Sequence, residues 1–473
     1  MRTLSLETAR SIVARAFVSI WLLIAATSAS GAQTPGEIDL AALDERMQDF
    51  SSRFYMKLAQ IDKPDKVDSI KSLMRVVDNR QAAGEPTRAI AAVIRNLPVV
   101  ERQIQAIETP RLVELLLAAN LQKTAVSLYE KMKSRADKTT VSVASLAFAK
   151  HYFARRQWEQ TVRVAESIGN ELAAEDYHHA RLLHGIALQR LRRHRAALLQ
   201  YQKIAKTSRY YTAARINMAM ANIRQDWWTD AHVIIEDVIR AQRESDPALT
   251  DRLYTTLGYS LLRQQYYRNA REAFGNVGLN GPYTSRALLG IALSAAHQQD
   301  YVGALNAIQR LKDSNARDLP VDEAHLLIAY FYEKLEQPDT ATVGYSHAIR
   351  FYEQRIADIE VAMAVEAAQL RERIVEHGAA GVPIGGEVLN LEEKLPAAFT
   401  DELRLLLSYD AGIRRIGDGG LTRAYTGLVD DYTNVLRRAA RDALAENISH
   451  LNHYMSQARY GLVAIQDQNS VKQ

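Results

Sequence analysis

The sequence contains no cysteine. That excludes disulfides, thiolate metal sites and attachment to a membrane through a lipid-modified cysteine. A strong excess of either charge is also missing. The formal balance is +4, and it falls to +2 once the first 32 residues, with Arg2, Arg10, Arg15 and Glu7, are removed. Such a balance argues against any general nucleic-acid or anionic-membrane role. No Gly-x-Ser-x-Gly, His-Glu-x-x-His or phosphate-cradling loop occurs, and the Gly-rich stretch 378–386 is not followed by Lys-Ser or Lys-Thr, so it reads as a turn. With no catalytic motif and no pocket specified, no enzymatic activity and no cofactor are expected.

What is present is ordinary in bulk and unusual in arrangement. Apolar content of 47% and charged content of 24% fit a folded chain and neither a disordered one nor one that crosses a membrane repeatedly. At 473 residues the chain is too long for one compact core, and two or three units or an elongated array would suit it. The N-terminus stands apart. Three arginines precede an apolar run, Ala16 to Ala26, and the small-residue stretch Thr27 to Ala32 follows. This is the pattern of a cleavable secretory signal over residues 1–32, leaving Gln33 first in the mature chain, and an uncleaved anchor is the other reading. The expected location is the periplasm, where a chain without cysteine is stabilised by packing alone.

The body of the chain repeats itself. Ala125, Thr161, Ala197, Ala231, Ala270, Ala304 and Ala341 lie 36, 36, 34, 39, 34 and 37 residues apart. Four residues after each mark stands Tyr129, Ala165, Tyr201, Ile235, Phe274, Ile308 or Tyr345. Twelve before it stands Val113, Ala149, Gly185, Ala219, Gly258, Ala292 or Ala329. A ring often lies three before it: Trp158, His194, Trp228, Tyr267, Tyr301. This rhythm predicts pairs of helices of about a dozen residues, with small residues where backbones approach and large ones filling the gap. Each hairpin leaves an apolar face that only the next can cover.

Leu257-Gly258, Ala270, Phe274 and Pro282 carry the resemblance to tetratricopeptide repeats (TPR) in their spacing. The resemblance covers residues 110–350 and implies an all-α, right-handed superhelical solenoid of helix-turn-helix repeats. In proteins of that family, side chains of each first helix line a concave groove that holds protein partners. The corresponding positions are Lys150, His179, Gln189, Met220, Arg252, Tyr259, Arg286 and Tyr330. Arg252 and Arg286 hold matching places in consecutive repeats and suit an acidic segment or a terminal carboxylate. The lysine and asparagine clamp of chaperone-binding members is not reproduced.

Residues 33–109 read as an N-terminal helical cap or as degenerate repeats. Leu43, Met47, Phe50, Phe54 and Leu58 form a helical stripe that ends at Lys63-Pro64-Asp65. Residues 351–473 read as long helices. One continues from Ile349 to Ile374, another spans about 400–416 and ends at Asp418-Gly419-Gly420, and the last carries Leu444, Ile448, Leu451, Met455, Ala458, Leu462 and Ile465. A helical hairpin or small bundle capping the solenoid is expected, with an intermolecular coiled coil as the alternative. His178, His179 and His184 are spaced poorly for one metal ion, so no metal is expected. The carboxylate pairs Asp322-Glu323 and Asp430-Asp431 are explained by helix capping or solvation. The expected role is a non-enzymatic scaffold in a cell-envelope complex for transport, motility or Tol/TonB-type machinery. Its partners would be envelope proteins or peptide segments, with oligomerisation through the C-terminal helices possible. An accessory of exopolysaccharide export, a cell-wall glycosidase and a self-assembling structural protein are the alternatives.

Overall fold

The computed structural model describes residues 40–62, 67–314, 316–364, 367–384 and 387–472. The expected signal at 1–32 and the break at Lys63-Pro64-Asp65 lie outside them. The chain divides into two compact units, Met1–Asp44 and Glu45–Gln473. Of the first, only the opening turn of helix α1 (Leu40–Ile61) is described. The second begins within α1 and continues through α2 (Ile70–Ala82), α3 (Pro86–Arg95) and α4 (Leu97–Arg102).

Seven helical hairpins follow. They pair α5 (Thr109–Ala118) with α6 (Gln122–Arg135), α7 (Lys138–Ala154) with α8 (Trp158–Glu166), and α9 (Ala174–Arg190) with α10 (His194–Tyr201). Next come α11 (Tyr211–Ile223) with α12 (Trp228–Gln242), α13 (Pro247–Arg263) with α14 (Tyr267–Gly275), α15 (Thr284–His297) with α16 (Tyr301–Asp313), and α17 (Leu319–Lys334) with α18 (Pro338–Ala362). Helices pack on their neighbours in sequence and on the equivalent helix of the next hairpin, α5 more on α7 than on α6, which is the contact pattern of a solenoid. The long 39-residue interval from Ala231 to Ala270 is absorbed by the 15-residue α12 and by Asp246, whose carboxylate caps α13 by accepting from the Leu249 N–H at 3.0 Å.

One backbone motif closes every hairpin. Asn120, Arg156, Arg192, Asp226, Gln265, Gln299 and Glu336, each five residues before a register mark, have φ between 57° and 65°. The N–H of each bonds to the carbonyl three residues back, and the next N–H reaches the carbonyl five back, as in Leu121 to Leu116 at 2.8 Å and Gln337 to Tyr332 at 3.0 Å. These two bonds satisfy the orphan carbonyls of the first helix and reverse the chain within three residues. Gly84 (φ 73°) makes the same turn between α2 and α3, with the Glu85 N–H on the Arg80 carbonyl at 2.9 Å. The motif therefore begins before the first register mark.

The register marks sit between the helices of each hairpin and are fully buried. Against them, small residues of one helix lie under large residues of another. A Cβ on Gly258 would stand 2.6 Å from the Phe274 ring, one on Gly290 of the following hairpin would overlap the same ring, and one on Gly185 would overlap Tyr201. Phe274 is thus gripped by a glycine of its own hairpin and a glycine of the next.

The C-terminal region differs from the sequence expectation in three places. Helix α18 ends at Ala362 and a separate α19 (Ala367–His377) follows, so the run from Ile349 to Ile374 is not one helix. The Gly-rich stretch is more than a turn: β1 (Val382–Ile384) pairs antiparallel with β2 (Glu387–Leu389), Val382 opposite Leu389. Val382, Ile384 and Leu389 alternate inward, and this period of two overrides the reading from glycines alone. The expected helix at 400–416 is split at Tyr409 into α20 (Ala397–Ser408) and α21 (Asp410–Ile416). Gly419 and Gly420 do not end a helix. Gly417 (φ 69°) terminates α21, Asp418 caps the next helix by accepting from the Leu421 N–H at 2.7 Å, and both glycines open α22 (Gly419–Lys472).

Helix α22 has 54 residues, hence a length of about 80 Å. Its far end packs on α17 and α18. A Cβ on Gly461 would stand 2.5 Å from the Tyr345 ring, so α22 occupies the place that the first helix of another hairpin would take. Leu444, Leu451, Ala458 and Ile465 of its three-four stripe are buried, and the seam is filled within the chain. The near end of α22 meets α1. Tyr425 approaches Phe50 at 6.3 Å, and Arg46 and Lys57 pair with Asp431 and Asp418. Tyr409 stacks on Phe54 at 4.2 Å, and Arg415 reaches the buried Asp62 at 2.9 Å.

The carboxylate pair Asp322-Glu323 is a further correction. Asp318, not Asp322, caps α17, accepting from the Val321 N–H at 3.1 Å. Asp322 and Glu323 are 4% and 7% exposed. Asp322 faces the Arg355 guanidinium at 3.5 Å, Arg355 clasps Glu387 of β2, and Glu323 receives the Tyr454 hydroxyl of α22 at 3.4 Å. Neither solvation nor capping explains them; they tie the last hairpin to what covers it.

Two tests follow from this packing. Gly290→Val should destabilise the chain by about 1–3 kcal/mol through overpacking, and Phe274→Leu in the same chain should restore part of the loss. Equal instability with and without the second change would remove the small-under-large account. Burial pushes the Asp322 carboxyl up to about 7, with Arg355 opposing and Glu387 adding to the rise. A raised folded pKa means stability that is complete below the ordinary value of 3.8 and lost as pH rises to about 7. The melting temperature should carry a component that falls between about pH 4 and 7 and vanishes in Asp322→Asn; an identical pH profile in the variant would contradict the assignment.

Candidate functional site

The first helices of successive hairpins pack on one another, α7 on α9, α9 on α11, α13 on α15 and α15 on α17. This brings positions eighteen and eleven residues before each mark into one row, and the sequence-derived residues can be placed on it. Lys150 and His179 come from adjacent hairpins and are close enough for the ammonium to act on the imidazole. Burial first, then Lys150 and Arg209, hold the His179 proton affinity below its ordinary value. His179 stacks on Tyr210 with centroids at 4.7 Å and planes 11° apart, and the Arg209 guanidinium covers the same ring at 4.9 Å.

Arg252 and Arg286 are exposed, and neither side chain makes an ion pair among the described residues. Tyr259 links their hairpins: its hydroxyl donates to the Arg286 carbonyl at 2.8 Å while its ring meets Phe274 edge-on at 4.8 Å. Tyr330 is half-buried on α17, its hydroxyl pushed up to about 12 by burial, with the Lys334 ammonium 5.0 Å over the ring. The structure therefore brings Lys150 together with His179, and Tyr259 with Arg286.

Two of the residues do not present themselves to a partner. Gln189 is 7% exposed, and its amide oxygen accepts from the Tyr201 hydroxyl at 2.9 Å across its own hairpin. Its polar group is already satisfied, so Gln189 belongs to the core. Met220 is half-buried and packs against the cluster of Ala219, Ile235 and Leu253. Conversely, Arg209 and Tyr210 join the row without having been singled out in the sequence. Tyr210 stands 21 residues before its mark, as Tyr283 does in a later repeat, and that recurrence was the available signal.

The row changes character along the array. Eighteen residues before the marks stand Ile107, Val143, His179, Ala213, Arg252, Arg286 and Glu323. The last of these is buried under Tyr454 of α22, so the cationic and aromatic stretch lies in the middle hairpins. The histidines nearby serve other purposes. His151 lies between Gln122 and Arg155, held down to about 3 by burial and by that arginine, and His184 is held down to about 4 by burial and Arg181. Among the described residues no three His, Asp or Glu side chains are placed to hold a metal ion.

No protein-family model and no curated protein matches this chain. Solved structures are similar at low identity. The apo form of RapI shares 10% identity over 72% of this chain and 97% of its own, with a TM-score of 0.41. The apo quorum sensor NprR from B. thuringiensis shares 14% over 70% and 99%, with a TM-score of 0.35. A tetratricopeptide repeat protein from Parabacteroides merdae shares 12% over 55% and 98%, with a TM-score of 0.33. Likenesses this loose add nothing to what the seven repeated turns establish, which is an all-helical solenoid of tetratricopeptide-type hairpins closed by a long terminal helix.

Proposed function

We propose that this chain is a non-enzymatic scaffold that holds other proteins along the first helices of its middle hairpins, as part of a cell-envelope complex in the periplasm. The observation that supports this reading most is the pair Arg252 and Arg286. Two exposed guanidiniums without ion-pair partners among the described residues occupy equivalent places on consecutive, packed hairpins. A partner segment running along the row would meet them in succession. Each can bind a carboxylate bidentately, so the row fits an acidic segment or a terminal carboxylate, with His179, Tyr210 and Tyr330 supplying flat surfaces at either side. Transport, motility or Tol/TonB-type machinery is the proposed setting, and the signal-like residues 1–32 support export. An accessory role in exopolysaccharide export is the alternative within the same class.

Photo-crosslinking in living cells tests the reading. With a photoreactive residue at position 256 or 330, the mature chain should yield adducts to one or two envelope proteins identified by mass spectrometry. The double variant Arg252→Glu, Arg286→Glu should reduce those adducts by about tenfold, the effect of losing two charge-assisted contacts. Adducts of undiminished yield in that variant, or no adducts at either position, would contradict the proposal.

A further inference from the structure

The rings three residues before the register marks are doubled in two consecutive hairpins. Trp227-Trp228 opens α12, and Tyr266-Tyr267 opens α14. The first ring of each pair stands at the N-cap, where Ser, Thr, Asp or Asn would satisfy the free N–H groups of the helix. In α16 that place is taken by Asp300, which accepts from the Gly303 N–H at 2.8 Å. Trp227 and Tyr266 make no such bond and remain 39% and 60% exposed. Leu121, Gln157, Arg193 and Gln337 at the same place in other hairpins make no cap bond either, but only Trp227 and Tyr266 set a large ring there and leave it in solvent.

The two rings flank a cup of about 370 Å³, within the size range of small-ligand sites. Its wall also carries Trp228, Asp226, Asp230 and Gln264. Neither carboxylate has an ion-pair partner among the described residues. The Arg195 guanidinium lies 5.8 Å over Trp227, and that of Arg263 lies 5.3 Å over Trp228. Two carboxylates and two guanidiniums thus surround the rings, and their charges cancel. A cationic ligand would meet the arginines and an anionic one the aspartates. A neutral molecule with a flat apolar face and a rim of hydroxyls fits this balance: its C–H face lies on the rings, and its hydroxyls exchange hydrogen bonds with the acceptor-only carboxylates and the Gln264 amide that line the cup.

We propose that the cup between the α11–α12 and α13–α14 hairpins is a binding site for a neutral carbohydrate, distinct from the row of Arg252 and Arg286. Trp227 and Tyr266 are the stacking surfaces, and Asp226, Asp230 and Gln264 are the hydroxyl partners. The function this adds is attachment of the scaffold to a glycan while the first helices hold protein.

Tryptophan fluorescence of the full mature chain reads the site directly, since Trp227 and Trp228 are two of the three tryptophans beyond residue 32. The probes are the tetrasaccharides of β-1,4-linked N-acetylglucosamine, β-1,4-linked glucose and α-1,4-linked glucose, with tetramethylammonium as the cationic control. At least one tetrasaccharide should give a saturable change. Trp227→Ala and Tyr266→Ala should each weaken it by about tenfold, with an unchanged far-UV circular dichroism spectrum, and Arg252→Glu with Arg286→Glu should leave it intact. Three results would overturn the proposal: no saturable change with any of the sugars, equal affinity in both aromatic variants, or tighter binding of tetramethylammonium than of every sugar.

Discussion

The structure depends on one repeated contact, a small residue of one helix under a large residue of another. Where Gly258 and Gly290 close on Phe274, the backbones of three helices come near enough for one ring to fill the space between them. The fully buried alanines at the register marks do the same on the other side of each hairpin. At Phe274 the hairpin cannot complete this contact by itself, because half of the grip belongs to the next. Stability is therefore passed from neighbour to neighbour, and an array built this way has an unfinished layer at its last hairpin.

The terminal helix finishes that layer. Gly461 lies under Tyr345 as Gly290 lies under Phe274, and Tyr454, Glu323, Asp322, Arg355 and Glu387 link the helix, the last hairpin and the small β-hairpin through polar contacts that are shielded from water. A buried arginine between two carboxylates adds little net stability, but leaving any of the three alone would be costly, so the group fixes how the parts dock. The same helix reaches α1 through Tyr425, Asp431 and Asp418. Its 54 residues make contacts with α1 near one end and with the last hairpin near the other.

Much of this was legible in the chain. The marks from Ala125 to Ala341 stand out because only a small residue fits a fully buried helix crossing, and their spacing locates the seven hairpins from α5 to α18, though not the α2–α3 pair before them. The reversing turn was not legible. Asn120, Arg156, Arg192, Asp226, Gln265, Gln299 and Glu336 share no side-chain chemistry, since two backbone bonds, not a side chain, hold their positive φ. Long-range pairing was equally hidden: nothing local to Asp322-Glu323 announces Arg355, Glu387 or Tyr454. For the site, register was enough to find Arg252 and Arg286, which face water, and to propose Lys150 beside His179. It failed for Gln189, which stands eight residues before Ala197, outside the eighteen-and-eleven register, and faces Tyr201 inside its own hairpin. The rings in the sequence rhythm were Trp228 and Tyr267, while their exposed neighbours Trp227 and Tyr266, one residue earlier, stood out only once the structure showed them in solvent.

The central claim is that α22 supplies the missing layer of the last hairpin. Amide hydrogen exchange on Gly461→Val in the full chain measures it most directly, because a Cβ there would stand 2.5 Å from the Tyr345 ring. The account predicts faster exchange confined to α17, α18 and the distal half of α22, with α7 to α12 as protected as before. Unchanged protection in α17 and α18, or a uniform loss across all hairpins, would contradict it.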